Sequence, residues 1–160
     1  MEKVKKVLLV VFVMMFFIGI ILVTDFGKMQ KYKNNEVTDL ANLGYRQMQT
    51  GDLVTGKVDY VLDTVAEEYE TKFGIRTSDD STKLYYIISL PNSYAVYETS
   101  NKEEYDTLDK ICNETWDYLN SEDGSAPAPT SNLMIQGEVK KMDDKVAGYF
   151  KDWFKEQAHF

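Results

Sequence analysis

Residues 7–23 (VLLVVFVMMFFIGIILV) are 17 apolar side chains without a charge, and that run constrains the chain more than anything after it. As a helix it would span about 25 Å, the short end of what crosses a bilayer's hydrocarbon core. A cleaved signal peptide would carry a shorter apolar stretch, roughly 7–15 residues, closed by small residues in an A-x-A arrangement. Here the run closes on Leu22-Val23-Thr24-Asp25-Phe26, which offers no such site. The expectation is an uncleaved N-terminal transmembrane helix within residues 1–24. Lys3, Lys5 and Lys6 lie against one end, Lys28, Lys31 and Lys33 a few residues beyond the other. The closer N-terminal charges favour a cytoplasmic N-terminus and an extracytoplasmic C-terminal domain, single-pass in the cell membrane.

Charge divides with the same boundary. The first 33 residues hold six Lys against Glu2 and Asp25, a balance of +4; the remainder holds 12 basic and 24 acidic residues, −12. The basic stretch suits an anionic lipid surface. The acidic remainder repels phosphate backbones, so nucleic acid is not expected as a partner. A single cysteine, Cys112, rules out an intramolecular disulfide. It falls mid-helix by periodicity, where a packing role is expected.

Residues 25–50 read as a stalk or linker, with a short helix over 36–43 carrying Leu40 and Leu43. Residues 51–160 read as one domain of ordinary size. After a Gly51-Asp52 turn, residues 53–62 alternate apolar and polar with the period of a strand. Gly56 inside that strand suggests a bulge or a barrel corner. Residues 64–74 are ambiguous: Glu67, Glu68 and Glu70 suit a solvated face, Tyr69 and Phe73 a further strand. Residues 83–90 and 94–99 are the clearest strand pair, joined by Pro91-Asn92-Ser93 with proline placed for a tight turn. Ser100-Asn101-Lys102-Glu103 then matches a capping box, and Tyr105, Leu108, Ile111, Cys112, Thr115, Trp116 and Leu119 recur at helical spacing. Residues 121–131 (SEDGSAPAPTS) read as a loop. Residues 133–141 return to strand character. Asp143 or Asp144 caps a last helix bearing Val146, Tyr149, Phe150, Trp153 and Phe154.

Gly56-Lys57-Val58 is echoed by Gly137-Glu138-Val139, as if two strands carried equivalent bends in one closed or half-closed sheet. The expected fold is therefore α+β: a transmembrane helix, then a small OB-like β-barrel with one capping helix and a C-terminal amphipathic helix.

Several segments carry a likeness: Gly56-x-Val58, Val61-Leu62-Asp63, Ala66-Glu67-Glu68-Tyr69, Tyr85-Tyr86-Ile87-Ile88, residues 109–119 (DKICNETWDYL) and residues 137–143 (GEVKKMD). In these the chain resembles an uncharacterised family of small single-pass membrane-anchored proteins from Gram-positive bacteria. The resemblance implies the anchored architecture and an envelope setting, and brings no activity or site residue with it.

No catalytic constellation emerges from the residues themselves. A Ser or Cys nucleophile needs a base, and the sole histidine, His159, is next to last in the chain. One Cys and one His cannot make a zinc site. Neither a G-x-x-x-x-G-K-[ST] nor a G-x-G-x-x-G loop occurs. The acidic pairs Asp79-Asp80 and Asp143-Asp144 lack the alternate spacing of a calcium loop, as does Ser121-Glu122-Asp123-Gly124. Glu67-Glu68 reads as solvated surface. Asn113-Glu114-Thr115 matches a glycosylation acceptor by chance inside a helix. The 11 tyrosines either fill half-buried sheet positions or line a sugar- or peptide-binding face. The aromatic stripe at 149–154 either rests on lipid or packs on the domain.

The expectation is a membrane-tethered, non-enzymatic interaction or accessory module of the cell envelope. Its partners are the lipid bilayer, through the N-terminal helix, and a protein or glycan; no catalytic, cofactor-binding or metal-binding residue, and no cofactor, is expected. Two other readings stand beside it: a carboxylate-dependent hydrolase of envelope polymers, which needs two carboxylates converging in a pocket, and a single-span regulatory subunit of a transporter.

Overall fold

The fold was obtained as a computed structural model. It describes residues 29–30, 37–42, 48–121 and 125–157, with the backbone alone at 78–81. The chain divides into two units, Met1–Val37 and Thr38–Phe160.

Two three-stranded sheets make up the framework of the second unit. In the first, β1 (Thr38–Asp39) runs parallel to β2 (Leu53–Val58), and β6 (Leu133–Glu138) pairs antiparallel on β2's other edge, giving the order β1-β2-β6. The second sheet is built from β3 (Val61–Lys72), β4 (Ile75–Leu90) and β5 (Ser93–Thr99), in that order and all antiparallel. Helix α1 (Lys102–Leu119) follows β5, and helix α2 (Asp144–Gln157) follows β6.

Pairing parity assigns the faces of the second sheet. Leu84, Tyr86, Ile88 and Leu90 share one face with Tyr97 and Thr99; Leu108 and Ile111 of α1 join them in the core, with Val54, Val58 and Ile135 of the first sheet. Ile87 shares the opposite face with Asp63, Val96 and, further along, Tyr94. There α2 covers it: Trp153 Nε1 donates to Asp63 Oδ2 at 2.7 Å, and the Phe154 ring lies 4.9 Å from that of Tyr94. A strand covered on both sides has no polar face to display, so residues 84–88 (LYYII) are buried without alternation.

The OB-like barrel is not formed. The alternating stretch at 53–62 breaks at Asp59-Tyr60, so β2 and β3 enter different sheets. The last strand pairs with β2 instead of closing the second sheet. Helix α1 lies across a sheet face and plugs no barrel end. No helix among the described residues is long and apolar enough to cross a membrane, so the described structure has no transmembrane helix. The expected one, residues 7–23, lies outside the described residues.

Gly56 has a different reason from a bend. It pairs in regular register with Ile135, and Leu40, from the 3-10 turn Leu40–Asn42, sits directly on it. A Cβ built on Gly56 would lie 2.6 Å from the Leu40 Cβ. The missing side chain makes the seat that lets buried Leu40 close this end of the core. Its echo, Gly137, pairs with Val54 on the neighbouring strand and has nothing within 4 Å of where a Cβ would stand. The two glycines therefore do unrelated work.

The helix start is displaced by one residue from the predicted capping box. Asn101 is the N-cap and accepts from Glu103 N–H at 3.1 Å. Glu104 faces back to Asn101 Nδ2, Thr99 and Tyr97. Tertiary bonds to Glu104 thus select the frame.

Candidate functional site

Three groups of polar or displayed side chains stand out, and the first is structural. Tyr97 Oη and Thr99 Oγ1 donate to Glu104 Oε2 at 2.8 and 2.7 Å, and Tyr86 Oη donates to Asp109 Oδ1 at 2.9 Å. Sheet hydroxyls and helix carboxylates here tie α1 across the sheet. Burial first, and the accepting carboxylates second, push both tyrosine hydroxyls well above their ordinary range, so they remain neutral donors. Trp116 Nε1 donates to the Leu62 carbonyl at 2.6 Å. Glu114 gathers Thr130 N–H, Ser131 N–H and Ser131 Oγ at 2.8–2.9 Å. Those bonds, led by Ser131, hold its carboxyl below the usual range, and they pin the incoming proline-rich loop to α1.

The second group is a solvent-open cleft of about 650 Å³ where β1 and its 3-10 turn, β2 and the β4–β5 turn meet. Leu40, Tyr60, Leu90, Pro91 and Met134 supply apolar surface; Asp39, Thr55, Lys57, Asp59 and Ser89 supply polar groups. Lys57 Nζ pairs with Asp59 Oδ1 at 2.7 Å, both side chains about half exposed. Asp39 Oδ1 accepts from Ala41 N–H at 2.9 Å. Paired-acid hydrolysis needs one carboxyl held protonated by an apolar or anionic setting. Asp59 is paired with the Lys57 ammonium and Asp39 accepts from a backbone amide, so neither stands in an apolar or anionic setting. The cleft offers a mixed surface for binding a segment or a sugar.

The third group is an arm. β5 covers β4 only over residues 84–90, so beyond Glu67↔Leu84 the β3–β4 hairpin continues as a two-stranded ribbon to Lys72↔Ile75. At the neck Lys83 bridges Glu68 at 3.7 Å and Glu98 at 3.1 Å, and Tyr85 Oη donates to Glu68 at 2.5 Å. Burial and that bond raise the Tyr85 hydroxyl to about 12. The loop is Phe73-Gly74, both with positive φ, 53° and 77°, the backbone of a tight primed hairpin turn. Phe73 is 97% exposed and Ile75 70%.

The residues weighed for chemistry do not converge. Cys112 is half-buried on α1, and burial, with Asp63 and Asp109 nearby, raises its thiol to about 11, the opposite of an activated nucleophile. His159, Glu122 and Asp123 lie outside the described residues, and the side chains of Asp79 and Asp80 are not described. Asp143 caps α2 by accepting from Lys145 N–H at 2.9 Å, and Asp144 pairs with Lys141 at 3.8 Å. Asn113 is exposed on α1. Among the described residues no three His, Cys, Asp or Glu side chains are placed to share a metal ion. Sequence reasoning missed the cleft and the arm. The cleft joins non-local segments and leaves no local pattern, whereas Phe73-Gly74 between strand-like runs was a readable hairpin signal.

No curated protein and no solved structure matches this chain. A family model does match, along residues 1–159. The chain belongs to the family described as DUF8577, a domain of unknown function.

Proposed function

We propose that this protein is a non-enzymatic interaction or accessory module of the cell envelope. Residues 7–23 hold it at the lipid bilayer, and its domain is presented on the extracytoplasmic side. The apolar run, its lysine flanks and the likeness to single-pass proteins of Gram-positive bacteria support the tether.

The observation that carries the interaction role is the cleft. Its volume of about 650 Å³ suits a peptide segment or a sugar unit, and its lining combines apolar with hydrogen-bonding groups. Its carboxylates are paired with Lys57 and with a backbone amide, which supports binding over acid catalysis. A photo-crosslinking side chain in place of Met134, 64% exposed at the cleft wall, tests it in cells producing the full chain. A discrete adduct from this position, lost on Lys57→Glu and absent from a probe at exposed Asp152 on α2, is expected. Equal labelling from both positions, or recovery of the unaltered chain without detergent in the soluble fraction, overturns the reading.

A further inference from the structure

The arm's tip has the make-up of a lipid-interface contact. Its two-residue loop places Phe73 at φ 53°, a backbone region that suits Gly or Asn and strains a bulky side chain. That strain gains no packing, because Phe73 is 97% exposed. The apolar pair Phe73 and Ile75 is enclosed by Lys72 and Arg76, so the five residues 72–76 carry two positive charges on a chain whose net charge is −8. Behind them the Arg76 guanidinium lies 3.4 Å above the Tyr69 ring, and Tyr69 Oη donates to Glu67. An apolar point, a cationic collar and an amphipathic ring follow one another along the arm. That is the order of acyl boundary, anionic headgroup and water met on passing outward from a membrane.

We infer that the tip, residues 72–76, seats on an anionic lipid surface as a lipid contact additional to the N-terminal run, with Phe73 and Ile75 in the acyl boundary and Lys72 and Arg76 at the headgroups. This rests on the reading of the chain as lipid-tethered. A second copy of the chain is the rival occupant, and the ribbon's edges argue against it. The pairing slips between Glu68 and Tyr69 and again between Tyr69 and Thr71, so a neighbouring strand finds no even row of donors and acceptors. Tip-to-tip contact between copies also sets Lys72 and Arg76 against their like.

The full chain is reconstituted in vesicles of phosphatidylcholine alone or mixed with phosphatidylglycerol. An environment-sensitive dye is placed on Thr71→Cys, in a Cys112→Ser background, which leaves residues 72–76 intact. Dye at exposed Lys151→Cys on α2 is the control. Expected is a blue shift at position 71, with quenching by nitroxide-bearing lipid, in the anionic vesicles. It is lost on Phe73→Asp with Ile75→Asp, reduced on Lys72→Gln with Arg76→Gln, and absent at position 151. Co-flotation of every variant with the vesicles reports on the tether by itself. Flotation without a shift at position 71 overturns the tip contact and leaves the tether standing; failure to float overturns both. A shift that persists in the Asp variant, or vanishes when protein is diluted into excess lipid, assigns the tip to another copy and also overturns the inference.

Discussion

Two halves of one strand make opposite use of the same kinds of side chain. In the inner half of β4, residues 84–90, apolar groups face inward on both sides, and the polar atom of Tyr86 is turned in to a helix carboxylate. In the outer half, residues 75–83, the polar Arg76, Thr77, Thr82 and Lys83 lie along the strand and the large apolar groups sit at the free end, Ile75 with Phe73 beside it. The inner half spends its chemistry on holding the fold. The outer half displays apolar surface that the fold does not need, which marks it as a contact element.

The widest expected gap lies between Leu108 and Phe73. Leu108 is fully buried where α1 meets β4. Leu108→Ala is expected to cost about 2–5 kcal/mol by loss of transfer energy plus a residual cavity. Phe73→Ala should leave the denaturation midpoint within about 0.5 kcal/mol of the parent. Chemical denaturation of the full chain in detergent reads both. A small loss at Leu108, or a large one at Phe73, breaks the contrast.

Gly56→Ala comes next and probes the other sheet. The added methyl would meet Leu40 Cβ at 2.6 Å, and the obstacle stands next to the Leu40 backbone, so it cannot simply swing away. Overpacking of this kind costs about 1–3 kcal/mol. Gly137→Ala, with open space, should cost much less. Equal effects would mean that both glycines serve backbone conformation and that Leu40 has no seat on the strand.

How far the fold was legible can be judged at these same positions. The β4–β5 hairpin, α1 and α2 were readable because each is specified by neighbours in the chain: Pro91-Asn92 between two aromatic runs, apolar residues at helical spacing from Leu108 to Thr115, Asp143 ahead of α2. The barrel was the wrong sum of mostly correct parts. Strand partners are chosen by non-local burial, and nothing near Asp59-Tyr60 says that the chain leaves one sheet for another. The reason for Gly56 lies in Leu40, inside a stretch that reads as stalk. The arm had one local signal, Phe73-Gly74, and residues 76–83 (RTSDDSTK) beyond it carry no apolar residue to mark a strand by alternation. The cleft draws Asp39, Lys57, Pro91 and Met134 from four separate stretches.

A smaller effect tests whether the inner tyrosines serve the fold. Tyr97→Phe removes one donor to Glu104, which keeps Thr99 and Asn101, so the expected cost is about 0.5–1.5 kcal/mol. Its pH dependence is more telling. Tyr86 and Tyr97 have folded values raised above 10.0 and Cys112 is raised from 9.0 to about 11. Below pH ~9 both folded and unfolded chains keep these protons and the stabilisation is complete. Above that, the unfolded chain ionises first and stability falls as pH rises through the folded values. Midpoints measured from pH ~8 to ~11 should decline, and decline less steeply in Tyr97→Phe. Identical slopes would remove Tyr97 from that account.

The least expected change is at the tip, where it discriminates most sharply. Phe73 holds φ 53° with its ring in solvent, so Asn, which tolerates that backbone and loses no packing, should leave stability unchanged or raise it by a few tenths of a kcal/mol. A residue whose replacement improves the fold has a use outside it. The same Phe73→Asn chain should lose lipid quenching at position 71 while its denaturation midpoint holds. If the midpoint instead falls by more than about 1 kcal/mol, the ring packs against the domain in solution, and the contrast between the two halves of β4 is lost with it.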